Sequence, residues 1–306
     1  MQELMIYAGV SDCYSKCDEV LEKFLSVKVN AMQVYRVSDS YGEQLGKGDD
    51  FTQRILPPVQ REEVLYAMAD GSMIFTRDDG WKEVKLGRIF KSSDCIDVAG
   101  KPGWIKQSQY LAHLGSSKSF TRQMDELIEN YGSLHHRLIF VTDGAPWLRN
   151  WIEDAFPTAT SILDFYHAKE HLCQFADEHF KERSEKEKWI VSQETLLLES
   201  GVAQVIHNIQ SLCKEPTKQA QKLIDYYSAN IDRMDYQKYR QTGKGIIGSG
   251  AIESAHRTVI QKRMKLSGQR WTLNGAQNML CLRTIKMNQQ WTKVIDLVKS
   301  EFKAAA

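Results

Sequence analysis

The 306-residue sequence has no run of about 18 apolar residues, and its amino terminus lacks the basic and then apolar layout of a secretory signal peptide. No CxxC pair is present, and the six cysteines are scattered at positions 13, 17, 95, 173, 213 and 281. These absences argue against a helical membrane protein and against a disulfide-stabilised secreted scaffold. We therefore expect a cytoplasmic protein with reduced thiols and no membrane partner.

Acidic residues are scarce in the last part of the chain. The whole sequence carries a net charge of +1, but from Lys238 onwards 13 Lys or Arg residues face three acids, a net charge of +10. The first 237 residues therefore carry about −9. A basic segment in a nearly neutral chain indicates a polyanionic partner. The alternative is that acidic residues elsewhere in the fold neutralise it.

The pattern of apolar residues divides the chain into four parts. Residues 1–60 predict short helices, with a candidate helix-turn-helix around "SVKV" and a linker at 46–58. From residue 61 the pattern predicts the order β-β-β-α-β-α-β up to residue 168. Residues 169–245 predict a helical insertion, and 246–290 return to the core with the glycine-rich "TGKGIIGSG" and a basic helix. Residues 291–306 predict a tail helix.

The stretch "HRLIFVTDGAPW" carries the first functional signal. Leu138 to Val141 form a short continuous apolar run, which is typical of a strand buried on both faces. Asp143 follows directly, and Pro146 then favours the first turn of a helix. Asp143 either caps that helix or stands at the carboxyl end of a central strand, where open α/β sheets carry their chemistry.

Two further acids fit the same site. The β-β-β-α-β-α-β order is that of a ribonuclease-H-like mixed sheet, in which the first and fourth strands are neighbours and would bring Asp70 beside Asp143. Two adjacent carboxylates repel unless a cation lies between them, and oxygen ligands suit Mg²⁺ or Mn²⁺. Glu253 in "GSGAIES" is the third candidate, on a helix that follows glycines able to approach a phosphate. Its alternative is a helix-capping role.

Six segments together resemble the DDE transposases of bacterial insertion sequences, of the ISKra and ISLre type, which are related to eukaryotic Mutator-like transposases. They are "MADGS", "GWKEVKLGRIF", "VTDGAPW", "ILDFYHAKEHL", "IGSGAIES" and "KRMKLSGQRWT", and they fall roughly within residues 62–290. The resemblance implies a catalytic, metal-binding triad of Asp70, Asp143 and Glu253. It also implies that the helices between Asp143 and Glu253 are inserted into a ribonuclease-H-like core.

The resemblance extends to mechanism and partners. It implies that two Mg²⁺ or Mn²⁺ ions assist phosphodiester cleavage at the ends of a transposon, and that the freed 3′-OH then joins target DNA. Double-stranded DNA is the expected partner, and a homodimer on DNA, in the bacterial cytoplasm with the nucleoid, the expected state. Mutator-like enzymes carry a C-or-D-x-x-H motif after the second acid, which Asp164 to His167 match. His167 would then orient DNA or hydrogen-bond a phosphate near the metals.

The basic helix after Glu253 is the predicted DNA contact. Five cations with no intervening acid would follow the phosphate backbone: Arg257, Lys262, Arg263, Lys265 and Arg270. Trp271 would stack on an unpaired base near the cut, or else belong to the core.

Two other functions compete. "HAKEH" is an H-x-x-E-H motif, in which His167 and His171 lie on one helix face and could bind Zn²⁺ with Glu170 as the base of a peptidase. Glu178 or Glu194 would supply the third ligand, and the alternative is that both histidines pack or face solvent. The second competitor is a catalytically silent, domesticated transposase that only binds DNA.

Overall fold

The computed structural model describes residues 1–47, 59–60, 63–98, 101–132, 137–212, 215 and 217–305. The predicted linker over 46–58 lies outside the described residues from position 48 onwards. Within the described ranges no helix is both long enough and apolar enough to cross a bilayer.

Strands and helices together form a mixed α/β architecture. In chain order the strands are β1 (Leu65–Thr76), β2 (Gly80–Lys91), β3 (Cys95–Val98), β4 (Lys101–Ile105), β5 (Gln109–Leu114), β6 (Leu138–Thr142) and β7 (Thr160–Leu163). Five of them make one sheet in the order β5-β2-β1-β6-β7, and β3 and β4 pair as a separate ribbon. The five predicted core strands are confirmed. The sequence did not predict the ribbon.

The sheet pairs in both directions. β1 is antiparallel to β2, β2 is antiparallel to β5, and β1 is parallel to β6, which is parallel to β7. The first and fourth core strands are therefore neighbours, as predicted. All five residues of β6 are buried, which is why its sequence is continuously apolar rather than alternating.

Helices lie on both sides of the sheet, alternate with its strands and extend to both ends of the chain. They are α1 (Gln2–Ser11), α2 (Tyr14–Leu25), α3 (Ala31–Lys47), α4 (Ser117–Glu129), α5 (Pro146–Ala155), α6 (Phe165–His179), α7 (Arg183–Leu198), α8 (Val202–Leu212), α9 (Lys218–Asn230), α10 (Tyr236–Tyr239), α11 (Gly250–Ala255), α12 (Lys262–Met264), α13 (Leu273–Met287) and α14 (Thr292–Ala305). A π-helical segment, His256–Gln261, joins α11 to α12.

Strand β1 separates two apolar layers, because successive side chains of a strand point to opposite faces. Leu65 and Ala67 pack into a cluster that includes side chains of α4 and α5. Tyr66 and Met68 pack into the larger cluster, which includes side chains of α6, α11 and α13. The sheet is thus the middle layer of three.

The helices from the two ends of the chain pack together. Glu3 Oε1 accepts a hydrogen bond from the Trp291 indole at 2.6 Å, and the Tyr41 hydroxyl donates to Glu301. Gly42 lies against α13 so closely that a Cβ there would come within 2.7 Å of the Asn278 carbonyl oxygen. The contacts set α1 and α3 against the carboxy-terminal helices, on the side of the molecule that the basic segment also occupies.

Candidate active site

Asp70 and Asp143 come together through strand pairing. In the parallel β1–β6 pair, Met68 lies beside Val141. Continuing that register by two residues sets Asp70 beside Asp143, on strands about 4.8 Å apart. Strand β1 is buried from Leu65 to Ala69 and becomes partly exposed at Asp70, so the two carboxylates lie where the sheet opens to solvent.

Asp143 is held by a tight turn rather than used as a helix cap. Its Oδ1 accepts a hydrogen bond from the Ala145 backbone N–H at 3.0 Å. Helix α5 starts at Pro146, and its N-cap residue, Ala145, makes no side-chain capping bond. Burial raises the pKa of Asp143 above its ordinary value, and the negative charge of Asp70 raises it further. Such a pair of carboxylates favours a bound cation.

Glu253 lines the same cavity as the two aspartates. It is exposed in the first turn of α11, and its Oε1 accepts a hydrogen bond from the Ser249 hydroxyl at 2.8 Å. A cavity of about 230 Å³ is lined by Asp70, Asp143 and Glu253, together with Asp164 and His167. Among the described residues, no three His, Cys, Asp or Glu side chains are close enough to form a metal site as they stand.

Asp164 ties two segments of the site together. It is 4% exposed and caps α6, and its Oδ1 accepts bonds from the backbone N–H of Tyr166 at 2.9 Å and of Ser249 at 3.2 Å. The second bond fixes the glycine-rich segment next to the start of α6. Asp164 therefore positions the residue that precedes α11 and Glu253.

His167 faces the cavity, and His171 lies behind it. The His167 Nδ1 is 3.6 Å from Glu170 Oε2, and the two imidazole rings are 4.8 Å apart, edge to face. Burial lowers the pKa of His171, and His167 lowers it further. Glu194, one candidate third zinc ligand, instead pairs with Lys169 at 2.6 Å.

Sequence reasoning missed a histidine in contact with Asp70. His256 is 4% exposed, and its Nε2 lies 3.2 Å from Asp70 Oδ2. Neither ring nitrogen of His256 has a hydrogen-bond partner in the described part of the chain. The available signal was its spacing, because a residue three positions after Glu253 shares its side of a helix.

Two side chains of the insertion lie behind Asp143, and no sequence pattern marked them. Arg233 is 2% exposed and donates from Nη2 to the Thr142 hydroxyl at 2.7 Å. Tyr226 covers Gly144 so closely that a Cβ there would come within 2.3 Å of the ring. The insertion thus supports the strand end that carries Asp143.

Comparison with known proteins extends over almost the whole chain. Residues 2–301 match the model of a family described as "Uncharacterised protein family (UPF0236)". The chain belongs to the UPF0236 family. It is similar to the "UPF0236 protein in vanSb 3'region" of Streptococcus gallolyticus, with 24% identity over 284 residues, which cover 88% of this chain and 59% of that relative. This UPF0236 chain thus spans about three fifths of the relative's length.

Two of the predicted DNA contacts of the UPF0236 chain are buried, which corrects the prediction. Arg263 is 0% exposed and donates from Nε to the Gly9 carbonyl at 2.7 Å. Trp271 is 5% exposed, and its indole donates to the Met264 carbonyl at 3.1 Å. The cause is the packing of α1 and α2 over this side of the basic segment, so the core alternative for Trp271 is confirmed.

The other four predicted cations, Arg257, Lys262, Lys265 and Arg270, are exposed. Lys265 lies near Asp70: burial lowers the pKa of Lys265, and the negative charge of Asp70 opposes that shift.

Proposed function

We propose that this UPF0236 chain is a metal-dependent DNA-cleaving and DNA-joining enzyme of the DDE transposase type, built on a ribonuclease-H-like sheet. One observation carries the proposal. Asp70, Asp143 and Glu253, separated by 73 and 110 residues, line one cavity at the opening of the sheet. Three acids so distant in sequence share a cavity because the fold brings them there.

The sheet order supports the ribonuclease-H-like part of the proposal. Numbered along the core alone, and leaving out the β3–β4 ribbon, the strands lie in the order 3-2-1-4-5, with only the second strand antiparallel to the rest. Asp70 then belongs to the first strand and Asp143 follows the fourth. This is the arrangement that the resemblance implies.

The donor set fits a hard divalent cation. The three acids offer carboxylate oxygens only, the ligands that Mg²⁺ and Mn²⁺ prefer. The raised pKa of Asp143 reflects burial and the charge of Asp70, both of which a bound cation would offset. Glu253 has to turn from Ser249 toward the aspartates to complete the set.

Each group of residues then has a distinct task. When bound, two such ions supply activation of the attacking water and stabilisation of the leaving 3′ oxygen. Asp70 and Asp143 hold the ions at the sheet, and Glu253 completes the set from α11. Lys265 contacts the phosphate at the cavity, and Arg257, Lys262 and Arg270 follow the DNA backbone outside it.

The test is strand cleavage with purified protein. Supercoiled plasmid is incubated with Mg²⁺, and a labelled oligonucleotide with a free 3′-OH reports joining. We expect nicking and joining by the wild type, and loss of both in Asp143→Asn with DNA binding retained. The exposed Asp78→Asn serves as the control variant. Equal cleavage by wild type and Asp143→Asn would refute the proposal.

A DNA-binding protein without cleavage is the second candidate. The observation that favours it is that, among the described residues, no three potential ligands already lie close enough together to hold a metal ion. DNA binding by the wild type, with no Mg²⁺- or Mn²⁺-dependent nicking on any plasmid, would select this candidate. Zn²⁺-dependent peptidase activity lost in His171→Ala would select the peptidase instead.

A further inference from the structure

A second cavity, of about 410 Å³, lies beside the basic segment and outside the active site. Its walls come from α2, from α3, and from residues 269–275 before and within α13. The aromatic side chains in the wall are Tyr14, Tyr35 and Trp271, and the rings of Tyr14 and Tyr35 meet edge to face at 5.5 Å. A mainly apolar cavity of this size with a few polar groups is typical of a small-ligand site.

Arginines surround this aromatic cavity. Arg77 and Arg270 are exposed at its edge, and in the described part of the chain neither forms an ion pair. Behind the wall, the buried guanidinium of Arg263 stacks between Tyr14 and Trp271, at 4.6 and 5.1 Å from the ring centres. Both of its terminal nitrogens lack hydrogen-bond partners among the described residues. The exposed charges of Arg77 and Arg270 therefore favour an anionic ligand, and the aromatic wall favours one that also carries a flat ring.

The aromatic cavity is connected to the active site along β1. Thr76 lies six positions after Asp70, and six steps of about 3.3 Å give a distance of about 20 Å. The backbone of Trp271 pairs beside Thr76, since the Arg77 N–H donates to the Trp271 carbonyl at 2.8 Å. Lys265 lies near the Asp70 end of this path, and Arg270 lies at the other end. Exposed cations thus mark both ends of one route.

We propose that the aromatic cavity binds one unpaired base of a DNA strand whose phosphates run from the active site along Lys265 and Arg270. The distance of about 20 Å corresponds to about six steps of 3.4 Å in a duplex. Stacking on aromatic side chains accepts any base, and arginines hold the flanking phosphates. This inference rests on the proposed function, because it needs DNA in the active site.

The experiment compares two strands with equal phosphate charge. Binding of fluorescein-labelled (dT)12 and of an abasic 12-mer is measured by anisotropy across a salt series. We expect the wild type to bind (dT)12 about tenfold or more tightly than the abasic strand. Tyr35→Ala removes a stacking surface, and Ser15→Trp fills the aromatic cavity from its exposed edge. Both should lose the preference and keep the affinity for the abasic strand.

The exposed Phe24→Ala on α2 is the matched control and should keep the preference. If Tyr35→Ala fails to fold by circular dichroism, Ser15→Trp decides. Equal wild-type affinity for the two strands, or a preference that survives Ser15→Trp, would overturn the inference. Binding to duplex DNA with none to (dT)12 would overturn the inference alone, whereas no binding to any DNA would overturn the proposed function as well.

Discussion

Sequence patterns predicted the positions of side chains well at the opening of the sheet and less well in residues 250–272, a part of the basic segment. At the sheet, Asp70 and Asp143 lie where the strand pattern puts them, side by side on parallel neighbours. In the basic segment, two of six predicted DNA contacts, Arg263 and Trp271, point into the core. Both regions had specific motifs, so motif strength does not explain the difference.

The difference lies in what fixes a side chain's direction. In a sheet, backbone hydrogen bonds set the register and the alternation, so a residue's neighbours follow from strand order. On a helix, the direction depends on rotation about the axis and on what packs against it. Here a π-helical segment, His256–Gln261, shifts the rotation, and helices from the far end of the chain bury one side.

The largest expected effect is at the sheet. Asp70→Asn removes the charge opposite Asp143 and should lower Mg²⁺-dependent plasmid nicking by on the order of 10⁴-fold. DNA binding should change little, because the exposed cations remain. Asp78→Asn, beyond the end of the same strand, is the control. If Asp70→Asn nicks plasmid within tenfold of the wild-type rate, Asp70 and Asp143 do not share the same role in metal binding.

A substitution of His256 tests whether a residue that follows α11 helps to position Asp70 on β1. We expect it to be a positioning residue that orients the Asp70 carboxylate, so His256→Gln should weaken Mn²⁺ affinity by about 10- to 100-fold. Electron paramagnetic resonance titration of free Mn²⁺ measures this without DNA. His207→Gln, on the insertion, is the comparison. Unchanged Mn²⁺ affinity together with reduced nicking would show that His256 does not act through metal binding.

Within the basic segment, substitutions of exposed cations and of buried cations should have different effects. Replacing Lys262 and Lys265 with Gln should flatten the log–log dependence of DNA affinity on salt by about two units, at about 0.9 per phosphate contact. Arg263→Gln should leave that slope unchanged but lower the free energy of unfolding, because it disrupts the bond to Gly9 and the stacking in the core. Urea unfolding and salt-dependent binding of both variants measure the two effects. A slope lowered by Arg263→Gln would contradict its burial.

The smallest expected effect is the contribution of Asp143 to the pH dependence of the protein's stability. A folded-state pKa raised above the ordinary 3.8 means that Asp143 binds its proton more tightly in the folded chain. Its contribution to stability is therefore greatest below pH 3.8 and is lost as the pH rises through the raised pKa. In EDTA, Asp143→Asn should have a higher Tm than wild type at pH 7, and this advantage should vanish as the pH falls toward 3.8.

Thermal denaturation from pH 4 to 7 measures the difference. Added Mg²⁺ should raise the Tm of the wild type more than that of Asp143→Asn, because only the wild type keeps the full charge for the ion. A wild type more stable than Asp143→Asn in EDTA at pH 7 would contradict the raised pKa.

The sequence predicted the parts of the fold that depend on local patterns. The continuous apolar run of β6 and the Pro146 helix start were each sufficient to define an element. The β3–β4 ribbon was not predicted, because its strands are only four and five residues long and show little apolar periodicity. Arg233 was missed because its partner Thr142 lies 91 positions away in the sequence, so no spacing marks it, whereas His256 could have been found from its spacing to Glu253.

The amino-acid sequence by itself determined which segments form the core strands and which acids stand on β1 and at the end of β6, since apolar periodicity acts over a few residues. Only the tertiary structure decided which cations of the basic segment face solvent and which residues stand behind Asp70 and Asp143. Those choices depend on long-range packing, of α1 and α2 over Arg263 and of the insertion against Thr142. The free energy of such contacts belongs to pairs of distant residues and leaves no local pattern in the sequence.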